Sequence, residues 1–230
     1  MRTPTARHVT FRGTEARAEP ALFYAAQSGR STLDEGEGGG NPFASAFVEL
    51  LARPKLSLHT LSSELIELTS AKSDGYQTPS ISRSIARGEW RVRPAPSGSL
   101  RVALVLVYAD YARANAQSLP GALRDLTRTA AALALAGFQV VTVADPMKAE
   151  LTDALQLLER RSRAAEAAVI YTTGHGVEYR GQAYLIPGDY PIDDGPGRLR
   201  VRGLRVASLT DHLNARSANL VFYGGCRTHW

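Results

Sequence analysis

The chain has one cysteine, Cys226, two methionines and three lysines (Lys55, Lys72, Lys148) among 230 residues, and no apolar run of membrane-spanning length. A single thiol excludes an intramolecular disulfide, so a reducing, cytoplasmic setting is expected. The opening Met1-Arg2-Thr3-Pro4-Thr5 lacks the apolar core of a secretory signal, and no membrane partner is expected. Aromatic residues are only 7% of the chain. With no recognition motif present, that scarcity argues against a nucleic-acid partner despite a net charge of +5 and a pI near 9.5.

What is present can build a full core, since 44% of the residues are hydrophobic. The cations are mostly arginine and spread along the chain. The densest cluster, Arg198, Arg200, Arg202 and Arg205, follows a Pro/Gly-rich loop. Its first three members alternate, which would put them on one face of an extended segment, read here as solvated.

Short, nearly continuous apolar runs mark strands at 21–26, 102–107, 138–143, 167–173 and 219–223, with a weaker one at 89–92. Between them, apolar residues step by three and four. Leu58, Leu61, Leu65 and Leu68 form one such stripe. Leu119, Leu123, Leu126, Ala130 and Leu133 form a second, and Met147, Leu151, Leu155 and Leu158 a third. Asn41-Pro42 reads as a cap and first position of a helix carrying Phe43, Phe47 and Leu50, and a shorter helix is expected over 206–215. Alternating elements of this kind imply an α/β sheet covered by helices on both faces. Residues 93–99, Arg-Pro-Ala-Pro-Ser-Gly-Ser, form an aperiodic linker between a front part, 1–92, and a rear part, 100–230. The acidic, glycine-rich stretch 34–40 is expected to be a flexible loop. Its carboxylates and lack of lysine make it a poor phosphate cradle.

Two apolar runs end in small residues and then present one reactive side chain. Ala167–Thr173 leads through Gly174 to His175 and Gly176, and Leu220–Tyr223 leads through Gly224-Gly225 to Cys226. A thiol becomes a good nucleophile when a neighbouring imidazole draws it toward thiolate. Taken alone, His175 would be an ordinary loop histidine and Cys226 an inert packing residue. Flanking glycines and the polar Arg227-Thr228 speak against the latter.

The rear part resembles the large-subunit region of the caspase–metacaspase superfamily, especially bacterial metacaspase-like proteins. The resemblance rests on Tyr171-Thr172-Thr173-Gly174-His175-Gly176, then Tyr184-Leu185-Ile186-Pro187-Gly188-Asp189, then the cysteine strand. The separation of 51 positions from His175 to Cys226 matches the roughly 50 of the caspase His–Cys pair. The front part resembles the small-subunit region, through Leu22–Gly29, Asn41-Pro42-Phe43, and Gln77-Thr78-Pro79 before a last strand. That region follows the cysteine in ordinary members and precedes it here. The resemblance therefore implies a circularly permuted, caspase-like three-layer α/β/α sandwich around a mostly parallel six-stranded sheet. Both halves form one domain, with the strand at 21–26 beside that at 219–223.

The resemblance also implies roles. Cys226 would be the nucleophile, His175 the general base and acid, and the N–H groups of Gly176 and Cys226 the oxyanion hole. Two S1 positions match Asp125 and Gly224, the second a departure from the usual aspartate. Asp125 is either an S1 carboxylate selecting arginine or lysine or a solvent-facing residue at a helix start. His229 is a competing base, expected to be poorly fixed near the terminus, and His8, His59 and His212 lie in no motif. Asp34, Glu35 and Glu37 add negative potential at the cleft rim if they are not merely solvated. Asp189, Asp193 and Asp194 lie where some metacaspases bind activating calcium. Lacking fixed ligand spacing, they carry no metal assignment, and no cofactor is expected. The partner implied is a polypeptide substrate. The alternatives are an inactive caspase-like interaction module, which the Gly224-Gly225 departure favours, and a basic nucleic-acid-binding domain.

Overall fold

A computed structural model describes residues 17–36, 38–82, 90–93, 95 and 97–230, without the side chains of Ser82 and Asp194. The elements run β1 (Pro20–Tyr24), α1 (Pro42–Leu51), β2 (Leu56–Ser57), α2 (Leu58–Lys72), β3 (Ser80–Ser82), β4 (Arg91–Arg93) and β5 (Arg101–Val107). Then come α3 (Pro120–Leu135), β6 (Gln139–Ala144), α4 (Lys148–Ser162), β7 (Ala167–Thr173), β8 (Gly176–Tyr179) and β9 (Gln182–Leu185). The chain closes with α5 (Leu199–Arg202), β10 (Leu204–Arg205), β11 (Ala218–Tyr223) and β12 (Thr228–His229). No helix among the described residues is long and apolar enough to cross a membrane.

Six strands form the central sheet in the order β3-β1-β11-β7-β5-β6. All neighbours are parallel except β1 and β3. Strands β5, β7 and β11 are buried throughout, as their continuous apolar runs require. Alternate residues serve opposite faces. Ala167, Val169 and Tyr171 face α1, α2 and α3, whereas Ala168 and Ile170 face α4 and the 206–212 turn. The result is a three-layer α/β/α sandwich, as expected. β1 lies beside β11 in register from Pro20↔Asn219 to Tyr24↔Tyr223, the adjacency expected of the strand at 21–26.

Aromatic stacking joins the front part to the rear. Phe23 stacks on Phe222 at 4.6 Å, Phe47 on Phe222 at 4.2 Å, and Phe47 on Tyr171 at 6.2 Å between ring centroids. Underneath, the fully buried Arg101 guanidinium pairs with Glu166 at 2.6 Å and donates to the Val92 and Arg91 carbonyls. Trp90 donates its indole N–H to the same carboxylate. A buried charge with this many partners is compensated, so the network fixes where the two parts meet.

The last strand expected after Gln77-Thr78-Pro79 is β3, the sixth of the sheet. Several other expectations need correction. The weak candidate at 89–92 is instead β4, which pairs with β2 in a separate ribbon, and Glu89 lies outside the described residues. Pro94 and Pro96 of the linker also lie outside them. The segment 206–212 is a 3-10 turn and not an α-helix through 215. In α3 the buried face is Ala122, Asp125, Thr129, Ala132 and Leu133, which leaves Leu123 exposed. Polar Asp125 and Thr129 displaced the purely apolar stripe. Met147 is likewise exposed, while Leu155 and Leu158 are buried. Arg198–Arg202 is helical and not extended, so its arginines do not share one strand face.

The 34–40 loop is pinned, contrary to expectation. Asp34 accepts the Gly121 N–H at the start of α3, at 3.0 Å, Glu35 pairs with Arg124, and the Gly38 and Gly39 carbonyls accept from Arg128 and Arg124. Its carboxylates thus meet the N-terminal end of a helix and a guanidinium instead of open solvent. Glu37 lies outside the described residues.

Candidate active site

The reactive side chains follow from the sheet. β7 and β11 are adjacent and parallel, and Thr172 is in register with Tyr223. His175 and Cys226 each lie three residues beyond that pair, so both emerge at the same carboxyl edge. Both line one cavity of about 490 Å³, with Gln117, Gly176, Ile186 and Trp230 among its walls.

His175 is held on three sides. Its N–H donates to the Tyr111 hydroxyl at 2.8 Å, its carbonyl accepts the Ile186 N–H at 2.8 Å, and its ring Nε2 lies 2.7 Å from the Gln117 carbonyl. A carbonyl oxygen only accepts, so Nε2 carries a proton and Nδ1 is the nitrogen left to take one. Tyr111 is fully buried, packs edge-on against the imidazole at 4.4 Å, and donates to the Ile186 carbonyl. Burial raises its phenol well above the ordinary range, which keeps that hydrogen in place. Gly174 has φ +154, and a Cβ there would lie 2.7 Å from the Tyr111 hydroxyl oxygen. Close approach of Tyr111 therefore requires glycine before the histidine.

Cys226 is half-buried. Its sulfur lies 3.3 Å from the Thr32 N–H and 3.4 Å from the Thr32 hydroxyl. Among the described residues its own N–H finds no acceptor. Tyr223 donates to the Cys226 carbonyl at 3.0 Å. A Cβ on Gly176 would overlap that Tyr223 hydroxyl, and one on Gly225 would lie 2.5 Å from it. The two glycines thus make room for the phenol that shapes the cysteine turn.

The front part supplies more than Thr32. Residues 29–30 run beside the cysteine segment through Gly29 N–H to the Arg227 carbonyl (2.9 Å) and Arg227 N–H to the Arg30 carbonyl (2.8 Å). Arg227 pairs with Glu178 at 2.8 Å and lies over the Tyr24 ring. Ser28 donates to the same glutamate.

The two S1 candidates share one cluster that does not line the His–Cys cavity but adjoins the cysteine, since the Asn41 amide bonds both Gly224 and Leu33, the neighbour of Thr32. Asp125 is 1% exposed and so does not face solvent. One carboxylate oxygen accepts from the Asn41 N–H at 3.2 Å and the Tyr171 hydroxyl at 3.4 Å, while the other has no partner among the described residues. Burial pushes its carboxyl up to about 7, against the lowering effect of those hydrogen bonds and of Arg128. The Asn41 amide donates to the Gly224 carbonyl at 3.1 Å. A Cβ at Gly224 would lie 2.9 Å from the Thr173 hydroxyl and 3.1 Å from that of Tyr171, so tyrosine and threonine fill the space that an aspartate there would need.

His229 also lines the His–Cys cavity, and it is not loose. β12 pairs with β8, and the Trp230 N–H donates to the Glu178 carbonyl. Asp189 is paired with Arg202 at 2.9 Å, and Asp193 is exposed. Tyr111, Gln117, Thr32 and Tyr223 escape sequence reasoning. Gln117 acts through a backbone carbonyl, which leaves no side-chain signal, and Thr32 through a contact spanning 194 residues. Tyr223 left one clue, the glycine pair that follows it.

A comparison with curated proteins found no match. The family model of the caspase domain matches residues 100–229, from the start of the β5 region to β12. With the six-stranded sandwich and His175 and Cys226 at neighbouring strand ends, the chain belongs to the caspase–metacaspase superfamily of cysteine peptidases.

Proposed function

We propose that the chain is a cysteine endopeptidase using Cys226 and His175, cleaving after arginine or lysine, in a reducing, cytoplasmic compartment. One observation carries the reading. Nε2 of His175 is committed to the Gln117 carbonyl, so the other ring nitrogen is available in the cavity that also receives Cys226. In the first step Nδ1 takes the thiol proton, and the resulting imidazolium keeps its bond to Gln117. The Thr32 N–H stabilises the thiolate. Sulfur attacks the scissile carbonyl carbon, and the Gly176 and Cys226 N–H groups receive the negative oxygen. His175 returns its proton to the departing amine as the C–N bond breaks, leaving an acyl-enzyme. Water, deprotonated by the same nitrogen, then releases the acid and restores the thiol.

For specificity, the ionised form of Asp125 would pair with a P1 guanidinium or ammonium, provided the 34–40 loop and Asn41 yield. An inactive interaction module is the second reading, and one observation favours it: the Asp125 carboxylate is covered, with Gly40 packed directly over it. The order of the halves is read as a circular permutation. The parallel β1–β11 pairing supports it, and no cut between the halves is then required for activity. The test combines a positional-scanning peptide library with a thiol-reactive peptidyl probe, applied to wild type and Cys226→Ala. Labelling of Cys226 with turnover supports the peptidase, and neither supports the module.

A further inference from the structure

A second cavity of about 490 Å³ shares no wall with the His–Cys cavity. It lies between the β8–β9 hairpin and the α5–β10 segment. Arg180 reaches it from the hairpin turn and Arg200 and Arg205 from the α5–β10 segment, over a floor that includes the buried ring of Tyr184. No carboxylate lines it. Elsewhere Arg53, Arg101, Arg124, Arg163, Arg202 and Arg227 each hold a glutamate or aspartate, whereas, among the described residues, exposed arginines outside the cavity such as Arg113, Arg160, Arg161 and Arg216 do not. Arg180, Arg200 and Arg205 have no such partner among the described residues. Arg180 instead lies over the Tyr179 ring at 5.1 Å.

The backbone adds an independent sign. Arg180 and Gly181 form the two-residue turn of the hairpin, and both have positive φ, +51° and +72°. Turns of this kind favour Asn-Gly, Asp-Gly or Gly-Gly. The other non-glycine residues with positive φ among the described residues are Asp74, Asn115 and Asp145, types that tolerate the conformation. An arginine there carries the cost of a left-handed backbone, against which the fold sets only its contact with the Tyr179 ring. Strain of this kind is kept where a side chain has a function.

We propose that this cavity binds a small phosphate-bearing polyanion of the pyrophosphate or nucleotide class. Three convergent guanidiniums without counter-ions suit the several oxygens of linked phosphates, and guanidinium forks bind them bidentately. The volume suits a small molecule.

The test is titration calorimetry on the full Cys226→Ala chain, with pyrophosphate and ATP as probes. Using that variant separates the result from the fate of the peptidase reading. Saturable binding of both probes is expected. Replacing Arg200 and Arg205 together by Gln should weaken it roughly tenfold or more, as loss of charged hydrogen bonds does. Arg216→Gln, outside the cavity, should change nothing. Arg180→Gly should both weaken binding and raise the melting temperature without ligand, because it relieves the turn. No saturable heat with either probe would overturn the proposal, as would affinity unchanged by the Arg180 and Arg200/Arg205 substitutions. So would binding seen only with an oligonucleotide or an acidic peptide of equal charge.

Discussion

The N–H of Thr32 points at the sulfur of Cys226 from 3.3 Å, although 194 residues separate the two in sequence. The contact exists because β1 pairs with β11, which carries the segment after Tyr24 alongside the segment after Tyr223. The matched caspase domain, 100–229, thus obtains a neighbour of its thiol from residues outside the match. Removing residues 1–92 would expose β11 as an edge strand and strip Phe222 of Phe23 and Phe47. The fragment 100–230 is expected not to fold cooperatively, and added fragment 1–92 is expected to restore a melting transition. A sharp transition from 100–230 alone, read by circular dichroism, would contradict this.

Thr32 itself is open to a milder test. Thr32→Val keeps the shape and the N–H but deletes the hydroxyl 3.4 Å from sulfur. With a lost hydrogen bond worth about 1 kcal/mol, kcat/KM should fall several-fold while the melting temperature barely moves. An unchanged kcat/KM would remove the hydroxyl from the account.

Tyr111 links His175 to Ile186 through one oxygen. In Tyr111→Phe, the His175 N–H and the Ile186 carbonyl lose their partner inside the protein. The expected cost is roughly 1–3 kcal/mol of stability by urea titration, with a drop in kcat larger than the change in KM. Full activity in the variant would show that His175 is positioned by its other contacts.

The glycines around Tyr223 make a double-mutant prediction. Gly176→Ala should abolish turnover, because its Cβ overlaps the Tyr223 hydroxyl. Adding Tyr223→Phe removes that oxygen and should restore part of the activity and stability. Restoration stays partial because the Cys226 carbonyl also lies 2.6 Å from the new Cβ. No recovery at all would place the clash elsewhere.

Asp125 sets a pH dependence whose sign follows from its raised carboxyl, about 7 in the fold against 3.8 in the unfolded chain. Between those values the folded state holds the proton and the unfolded state does not, so stability falls as pH rises from about 4 to 7. The full effect is at most roughly 4 kcal/mol. Asp125→Asn should flatten the melting profile over that window and leave the variant more stable at pH 8. It should also lower cleavage after arginine more than cleavage after a neutral residue. A wild-type stability that climbs from pH 4 to 7, with a parallel climb in the variant, would contradict the burial argument.

Legibility in the sequence tracked how an element is stabilised. β5, β7 and β11 were readable because both faces are buried, which demands unbroken apolar runs. Asn41 and Pro42 were readable because cap chemistry is local: the Asn41 side chain accepts the Phe43 N–H, as expected. β3 was poorly legible, since two of its three residues are serine and only pairing with β1 makes it a strand. The 34–40 loop looked free because its partners, Gly121, Arg124 and Arg128, lie more than eighty residues away. His175 and Cys226 stood out by type and flanking glycine. The groups that orient them did not, because tyrosine hydroxyls and backbone carbonyls reveal a role only through long-range geometry.

The central claim is most directly tested by kcat/KM for arginine- and lysine-P1 peptides, measured on intact chain of confirmed mass. Wild type is compared with Cys226→Ala, His175→Ala and His229→Ala. The account predicts turnover before any fragment appears, survival of activity in His229→Ala, and loss in the other two. Either of those losses should cost about as much as both together, since nucleophile and base act as a unit. Substantial turnover by Cys226→Ala, or activity that emerges only after cleavage within residues 93–100, would contradict it.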